Sequence, residues 1–318
     1  MIAGMNKEPL ACFALAFFCM TARASAQFND ARAYDNTPVG VNQLELSYAH
    51  VHGDISLDPS LALTGAKLNL NQGIVDYTYY FGVFHRTTWV EAGLPLAGLN
   101  GSIAGSNVHG SVTGAGDSSY QFGMLLKGGP ALSVEQFESY QPATTLGMSL
   151  TVTAPTGLYD SNAILNLGSD RWSFKPEIAL SHPFGSDQKW EFDGYGNGSW
   201  YTDNTTYRGR EILRQQPLLG IEGHISYSFN DRAWMSLDTR YSFRGTTFVD
   251  GVSQNDGQQN FILGSELNIS LNAQNSLTFE FAKAIAHQNG PTTTGFTVKY
   301  DYTWAWSAAR AKRNRNAH

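Results

Sequence analysis

Cysteine is nearly absent from the sequence, and the two positions that it occupies are informative. The chain has 318 residues and two cysteines, Cys12 and Cys19. Both lie in the apolar stretch of residues 9–20, which precedes an Ala-Ser-Ala site at 24–26, and this order is typical of a cleaved secretory signal. We therefore predict a signal peptide over residues 1–26 and a mature protein that has no disulfide bond and no thiolate metal site.

Charged residues are also scarce. Asp, Glu, Lys and Arg make up 15% of the chain, whereas a soluble domain carries about a quarter. The net charge is −6 and becomes −7 once residues 1–26, with two basic residues and one acidic residue, are removed. An acidic balance of this kind argues against nucleic acid as a partner, because the phosphate backbone attracts basic surfaces.

Long apolar runs are missing as well. After residue 20, no run approaches the roughly 18 apolar residues that a membrane-spanning helix needs, which excludes an α-helical membrane protein. A closed β-barrel is the other structure that satisfies its backbone hydrogen bonds inside lipid. Aromatic residues, by contrast, make up 13% of the chain, and there are 32 glycines. This composition is unusual for a soluble domain and is compatible with a membrane barrel.

Apolar residues alternate with small or polar residues through most of the chain. Clear examples are the segments 146–152, 219–229, 261–271 and 296–304, in which nearly every second residue is apolar or aromatic. A period of two places one kind of side chain on each face of a strand. The segments are about ten residues long and carry aromatic residues near their ends, as membrane-barrel strands do. We predict an all-β fold, a transmembrane antiparallel β-barrel of about twelve strands over residues 40–306.

The connections between these segments alternate between long and short. We assign the long loops to the extracellular side and the short turns to the periplasm, as in outer-membrane barrels. The long loops are predicted near 53–65, 98–117, 155–170, 202–215, 245–258 and 287–295, and the short turns at 82–83, 183–187, 230–231 and 272–275. An even strand number then leaves residues 27–39 as an N-terminal periplasmic segment and residues 307–318 as a basic C-terminal tail.

The alternation directs a set of charged residues toward the barrel interior. A basic residue that faces hydrocarbon at mid-membrane costs about 2–4 kcal/mol, so charges belong on the polar face. The lumen-lining residues that we predict to form the solute path are Lys175, Glu177, Glu222, His224, Asp238, Arg240 and Arg244. They either line an open path or pair with one another and fill the lumen, and the sequence leaves both possibilities open. Carboxylates outnumber bases along this face, which predicts a weak cation preference if ions pass.

We predict no cofactor and no metal site. His50 and His52 share one face of a strand, but two histidines at this spacing are a weak metal pattern. Gly194, Gly196 and Gly198 are not followed by a helical segment, so they do not form a phosphate-binding loop.

Several different short motifs lie at the ends of the predicted strands. They are Gly116-Asp117, Pro155-Thr156-Gly157, Asn166-Leu167-Gly168, Trp172 and Asp250-Gly251. By the order and spacing of these motifs, the chain resembles the meta-pathway of phenol degradation family of outer-membrane transporters, from about residue 40 to residue 306. The resemblance implies a barrel that imports aromatic compounds or related hydrophobic solutes.

The leading hypothesis is therefore an exported outer-membrane channel of a Gram-negative bacterium for small, aromatic or hydrophobic molecules. Its expected partners are the outer-membrane lipid, the barrel-assembly machinery, periplasmic chaperones and the solutes themselves. One alternative is an outer-membrane hydrolase of the phospholipase type, which needs a Ser and a His together on the lipid-facing surface. The outward-facing candidate, His182, lies at a predicted periplasmic turn. The other alternative is a structural or adhesive barrel whose lumen is plugged.

Overall fold

The computed structural model describes residues 29–55, 66–103, 109–163, 165–289 and 292–305. The predicted signal peptide and the basic tail lie outside the described residues. Within these ranges a single α-helix is present, α1 (Val134–Phe137). The same part of the chain contains no helix with the length and hydropathy needed to cross a bilayer.

The described residues form seventeen β-strands. They are β1 (Val41–Ile55), β2 (Ala66–Val83), β3 (Arg86–Ile103), β4 (His109–Ala115), β5 (Ser119–Lys127), β6 (Thr145–Thr153), β7 (Ser173–Phe184), β8 (Trp190–Tyr201), β9 (Asn204–Tyr207), β10 (Glu211–Gln215), β11 (Leu218–Asn230), β12 (Ala233–Arg244), β13 (Thr247–Val249), β14 (Val252–Ser253), β15 (Gln258–Asn272), β16 (Asn275–Gln288) and β17 (Thr292–Ala305).

Thirteen of these strands form one antiparallel sheet that closes on itself. Strand β1 pairs with β2 on one side and with β17 on the other, so the first and last strands complete the barrel. Strands β4 and β5 both pair with β3 and together occupy one position in the barrel wall. The wall therefore has twelve positions, and the prediction of a twelve-stranded antiparallel barrel is confirmed.

The other four strands form a small second sheet in the order β14-β13-β10-β9. These strands come from residues 204–215 and 247–253, which the sequence analysis assigned to long irregular loops. Asp250 and Gly251 have φ angles of 47° and 81° and form the tight turn between β13 and β14. The small sheet lies at the end of the barrel where the long connections emerge, which we call the long-loop end. The opposite end is the short-turn end.

Several barrel strands are longer than predicted, which moves the turns. Strands β2 and β3 have 18 residues each. The predicted turn at 82–83 still belongs to β2, because Gly82 pairs with Thr87 and Val83 pairs with Arg86. The turn is formed by Phe84 and His85, whose φ angles of 49° and 60° are those of a two-residue hairpin turn.

The two faces of the barrel wall have different compositions. Outward-facing Ile221 and Leu237 are 58% and 67% exposed, whereas their chain neighbours Glu222 and Asp238 are 2% and 4% exposed on the inner face. The same alternation leaves leucine, isoleucine, valine and aromatic side chains exposed around the outer surface. A water-soluble protein does not expose apolar surface on this scale. The outer surface is therefore a lipid-facing belt.

Aromatic side chains concentrate next to the short turns. The ring pairs Tyr79–Phe81, Phe184–Trp190, Trp190–Tyr227 and Tyr302–Trp304 have centroid separations of 5.9, 6.2, 4.7 and 5.4 Å. Rings with an apolar body and a polar edge are favoured at the level of the lipid head groups. They mark one boundary of the belt.

Candidate functional site: the barrel lumen

Six of the seven predicted lumen residues face the barrel interior. Lys175 and Glu177 lie on β7, Glu222 and His224 on β11, and Asp238 and Arg240 on β12. The strand register places Glu222 beside Arg240 and His224 beside Asp238. Arg244, the seventh residue, differs from the prediction. It is the exposed last residue of β12, and its φ angle of 71° turns the backbone out of the strand at the long-loop end.

The interior charges pair with one another across neighbouring strands. Nη1 of Arg240 lies 3.2 Å from Oε1 of Glu222, and Nδ1 of His224 lies 2.8 Å from Oδ1 of Asp238. Nζ of Lys175 lies 4.0 Å from Oε2 of Glu177. The sequence left open whether these charges line an open path or pair with one another, and the contacts show that they pair.

Residues 29–36, which we call the lumen segment, also lie inside the barrel. The sequence analysis placed them in the periplasm, and the structure differs from that expectation. The backbone N–H of Asn29 donates to Oε2 of Glu222 at 2.7 Å, and its side-chain amide donates to Glu177. Lys175 donates to Oδ1 of Asn29 at 3.1 Å. The donors of the segment thus add hydrogen bonds to wall carboxylates that are buried in the interior.

The next residues of the lumen segment contact three further parts of the wall. Asp30 forms an ion pair with Lys299. The N–H of Ala31 donates to Oε2 of Glu266 at 3.2 Å. Arg32 donates from its backbone N–H to Oδ2 of Asp193 at 3.1 Å, and its guanidinium lies 4.8 Å from the centre of the Trp234 ring. The segment is therefore bound to opposite sides of the barrel.

Tyr34 anchors the lumen segment in an aromatic cluster. Its ring lies 5.5 Å from the ring of Trp89 and 5.4 Å from the ring of Tyr195. Its hydroxyl donates to Oε1 of Glu177 at 2.8 Å and lies 2.8 Å from Oγ of Ser149. Burial, together with the nearby Glu177 carboxylate, raises the pKa of the Tyr34 phenol above its usual value. The phenol therefore remains a hydrogen-bond donor at physiological pH.

The barrel wall has two glycines where these rings lie. A Cβ atom at Gly147 would overlap Cδ1 of Tyr34, and a Cβ atom at Gly123 would overlap the indole of Trp89. The sequence analysis missed Trp89 and Tyr195 as interior residues. Their inward direction follows from the same period of two, because Trp89 alternates with Val90 and Tyr195 follows Asp193 on the inner face.

The chain leaves the lumen at the short-turn end. The side-chain amide of Asn36 donates to the carbonyl of Pro130 at 3.1 Å, and the N–H of Val39 donates to the carbonyl of Leu132 at 2.8 Å. Both acceptors lie in the connection between β5 and β6, which contains α1 and covers part of this end. The lumen segment is thus fixed both inside the barrel and at its exit.

The family motifs meet in a second cluster at the long-loop end. Oδ1 of Asp117 accepts from the N–H of Gly157 at 2.8 Å, and Oδ2 accepts from the N–H and the hydroxyl of Ser169 at 2.9 and 2.7 Å. A Cβ atom at Gly157 would lie 2.7 Å from the backbone of Gly116 and 2.8 Å from that of Gly168. The motif glycines therefore permit close backbone contact around one carboxylate.

The remaining motif residues fix the flanks of this cluster. Thr156, after Pro155, donates to the hydroxyl of Ser118 at 2.9 Å. Oδ1 of Asn166 accepts from the N–H of Asp160 at 2.7 Å. The N–H of Trp172 donates to the hydroxyl of Thr202 at 3.0 Å, while the indole is exposed on the outer surface. Asp250 and Gly251 lie apart from this cluster, in the turn of the second sheet.

The closed wall, the lipid-facing belt and the polar interior define a β-barrel of the outer-membrane class. The sequence profile of the family described as "MetA-pathway of phenol degradation" matches residues 50–300. Because that match covers most of the chain, the protein belongs to this family, and the resemblance inferred from the motifs is confirmed.

Solved structures share the fold at low sequence identity. An outer membrane channel from Pseudomonas putida F1 is 22% identical with a TM-score of 0.76, and the match covers 87% of this chain and 100% of that chain. The transport unit of the autotransporter AIDA-I from Escherichia coli is 11% identical with a TM-score of 0.51, covering 88% and 95%. No curated protein sequence matches the chain.

Proposed function

We propose that this protein is an outer-membrane channel for small aromatic or hydrophobic molecules, and that the lumen segment holds its resting state closed. Membership of a family linked to phenol degradation supports the solute class, and the similar structure from Pseudomonas putida F1 is itself named an outer membrane channel. The observation that carries the proposal is that a short segment of the chain, separate from the barrel wall, lies inside the lumen and is held there by hydrogen bonds and ion pairs.

The interior would favour neutral solutes once the segment is displaced. Displacement removes Asp30, Arg32, Asp35 and several N–H donors from the lumen, and carboxylates still outnumber bases on the inner wall. The inner-face acids are Glu45, Asp76, Glu91, Glu177, Glu191, Asp193, Glu222, Asp238, Glu266, Glu280 and Asp301, and the inner-face bases are Lys175, Arg240 and Lys299. Such a lining prefers cations weakly and repels anions. Trp89, Tyr80 and Tyr195 offer ring faces on which an aromatic solute can pack.

Solute entry into liposomes tests this function. We would compare a neutral and an anionic aromatic solute of the same size, with protein-free liposomes correcting for diffusion through lipid. A sugar of similar mass serves as a third solute. We expect the neutral aromatic solute to enter protein-containing liposomes faster than the anionic aromatic solute and faster than the sugar. Entry that is equal for all three solutes would contradict the proposed selectivity.

A plugged structural barrel is the second candidate, and the lumen segment itself favours it. In this alternative the segment never leaves, and the long-loop end, with its small second sheet, binds a partner at the surface. Bilayer conductance separates the two candidates. Brief openings in the wild-type protein favour a channel, whereas a barrel that stays closed even when the segment is weakened by substitution favours a structural role.

One contact in the structure supports the hydrolase alternative. His182 faces outward, and its Nδ1 lies 2.7 Å from the Thr144 hydroxyl at the short-turn end. Esterase chemistry would need this hydroxyl as a nucleophile with the imidazole as base. Release of fatty acid from detergent-dispersed phospholipid by the purified protein, lost in His182→Ala, would favour an enzyme over a channel.

A further inference from the structure

Polar side chains continue the outer surface from the lipid-facing belt toward the long-loop end. In the first of two rows, cross-strand neighbours face outward on six adjacent strands. This row consists of Lys283, Thr294, His52, Asn69, Asn100 and Ser111. The second row lies two residues nearer the loops and includes Lys67, Ser102 and His109. We call these residues the polar rows.

The polar rows border the belt directly on β16 and β17. On β1 to β3 one further outward position lies between the rows and the apolar side chains, and it is occupied by His50, Asn71 and Gly98. Two residues further from the loops, β16 and β17 carry exposed Phe281 and Phe296 on the same face. On β1 and β3 the exposed side chains below the rows include Tyr48 and Leu96. Since strand alternation keeps all of these side chains on one face, the polar rows lie where the outer surface leaves the hydrocarbon.

The chemistry of the polar rows is that of a binding surface for phosphate and sugar. Lys67 and Lys283 are basic and exposed. Asp54 on β1 is paired in register with Lys67, so the rows carry two basic residues and one acidic residue. Asn69, Asn100 and Ser111 supply neutral donors and acceptors. A shallow cavity of about 460 Å³ on this face is lined by Lys67, His109 and these neutral residues. Lysine is a phosphate-binding side chain, and amides and hydroxyls match saccharide hydroxyls.

We propose that the polar rows bind the phosphorylated saccharide head group of a glycolipid in the outer leaflet of the outer membrane. Continuity with the lipid-facing belt identifies a lipid as the occupant. The basic residues outnumber the one acidic residue of the rows, and together with the neutral polar side chains they complement a phosphate carried on a sugar. The acyl chains then lie against the apolar side chains below. The proposal rests on the outer-membrane location and on the long-loop end facing outward.

Native mass spectrometry of the detergent-folded protein tests the proposal, with diphosphoryl lipid A as the probe. The test variant is Lys67→Gln with Lys283→Gln. The control variant, Lys127→Gln with Lys189→Gln, removes the same charge from exposed Lys127 and half-buried Lys189 at the short-turn end. We expect the test variant to raise the apparent Kd about three- to tenfold, as for two exposed ion pairs, and the control variant to leave it unchanged. Heat-modifiable gel mobility verifies that both variants fold.

Two results would overturn the proposal. One is an equal loss of affinity in the control variant, which would indicate a non-specific charge effect. The other is equal binding of dephosphorylated lipid A or phosphatidylethanolamine by the wild-type protein, which would indicate contact with acyl chains alone. Competition by inorganic phosphate at low concentration would assign the site to free phosphate and would also count against a glycolipid.

Surface labelling separates failure of this proposal from failure of the channel function. Val252→Cys introduces a thiol at the exposed turn of the second sheet, and Phe84→Cys introduces one at a short turn. With a membrane-impermeant maleimide on intact cells, we expect labelling at position 252 and not at position 84. The reverse pattern would overturn the glycolipid proposal while leaving conductance through the barrel unaffected.

Discussion

At the scale of single residues, docking of the lumen segment depends on the absence of side chains from the wall. Gly147 faces Tyr34 across a distance that leaves no room for a methyl group, and Gly123 does the same for Trp89. The packing of Tyr34 against Trp89 and Tyr195 and its two hydroxyl contacts need this space. The wall and the lumen segment are therefore complementary in shape.

Gly147→Ala should open the barrel without unfolding it. The added methyl group displaces the Tyr34 ring, and overpacking of this kind costs about 1–3 kcal/mol, which moves the balance between docked and released segment about five- to 150-fold. Single-channel recording should show a higher open probability. The matched control is Gly196→Ala in β8, where a Cβ would meet Ile178 at an ordinary 3.7 Å and wild-type behaviour is expected. Equal effects in both variants would argue against displacement of Tyr34.

Alkaline pH should release the lumen segment through Tyr34. The docked state raises the pKa of this phenol, so docking favours the protonated form. Its contribution is complete below the usual phenol pKa of about 10 and declines as the pH rises above that value. Open probability should therefore increase from about pH 9 to about pH 11 in the wild-type protein, and less in Tyr34→Phe, which has no phenol to titrate. The same increase in Tyr34→Phe would assign the effect to another group.

At the scale of elements, the barrel strands could be predicted from the sequence and the lumen segment could not. Ile221 and Glu222 illustrate why the strands could be predicted. Neighbouring residues of a strand point to opposite faces of the sheet, so the barrel leaves a period of two in the sequence. The lumen segment has no period, and Asn29 contacts Glu222 across 193 positions. The short strands β9, β10, β13 and β14 escaped prediction for a related reason: each has five residues or fewer and pairs within a separate sheet.

The loop that carries the family motifs depends on Asp117. Asp117→Asn keeps the shape of the side chain but replaces one acceptor oxygen by an NH₂ group, so it cannot accept from Gly157 and Ser169 as the carboxylate does. We expect a local loss of about 1–3 kcal/mol. Hydrogen exchange at the amides of Gly157 and Ser169 should accelerate while the amides of the barrel strands stay protected. In Asp203→Asn, at an exposed position that pairs with Arg214, exchange at these amides should match the wild type. Global loss of protection in Asp117→Asn would instead show that the carboxylate is needed for the whole barrel.

At the scale of the whole molecule, the barrel has two separate clusters at different heights. The lumen segment lies in the interior and leaves it at the short-turn end, and the Asp117 cluster fixes the loops at the long-loop end. Because each cluster is held by its own hydrogen bonds, substitutions in one should leave the other intact. The same division separates passage through the lumen from contacts at the cell surface.

The central claim is that a removable segment of the chain closes an otherwise continuous pore. Planar-bilayer recording of the wild-type protein and of the combined variant Asn29→Ala, Arg32→Ala and Tyr34→Ala tests it most directly, with heat-modifiable mobility to establish that both fold. We predict a wild-type protein that is mostly closed and a variant that conducts steadily, with a weak cation preference in a salt gradient. A folded variant that does not conduct, or a wild-type protein that conducts equally well, would contradict the claim.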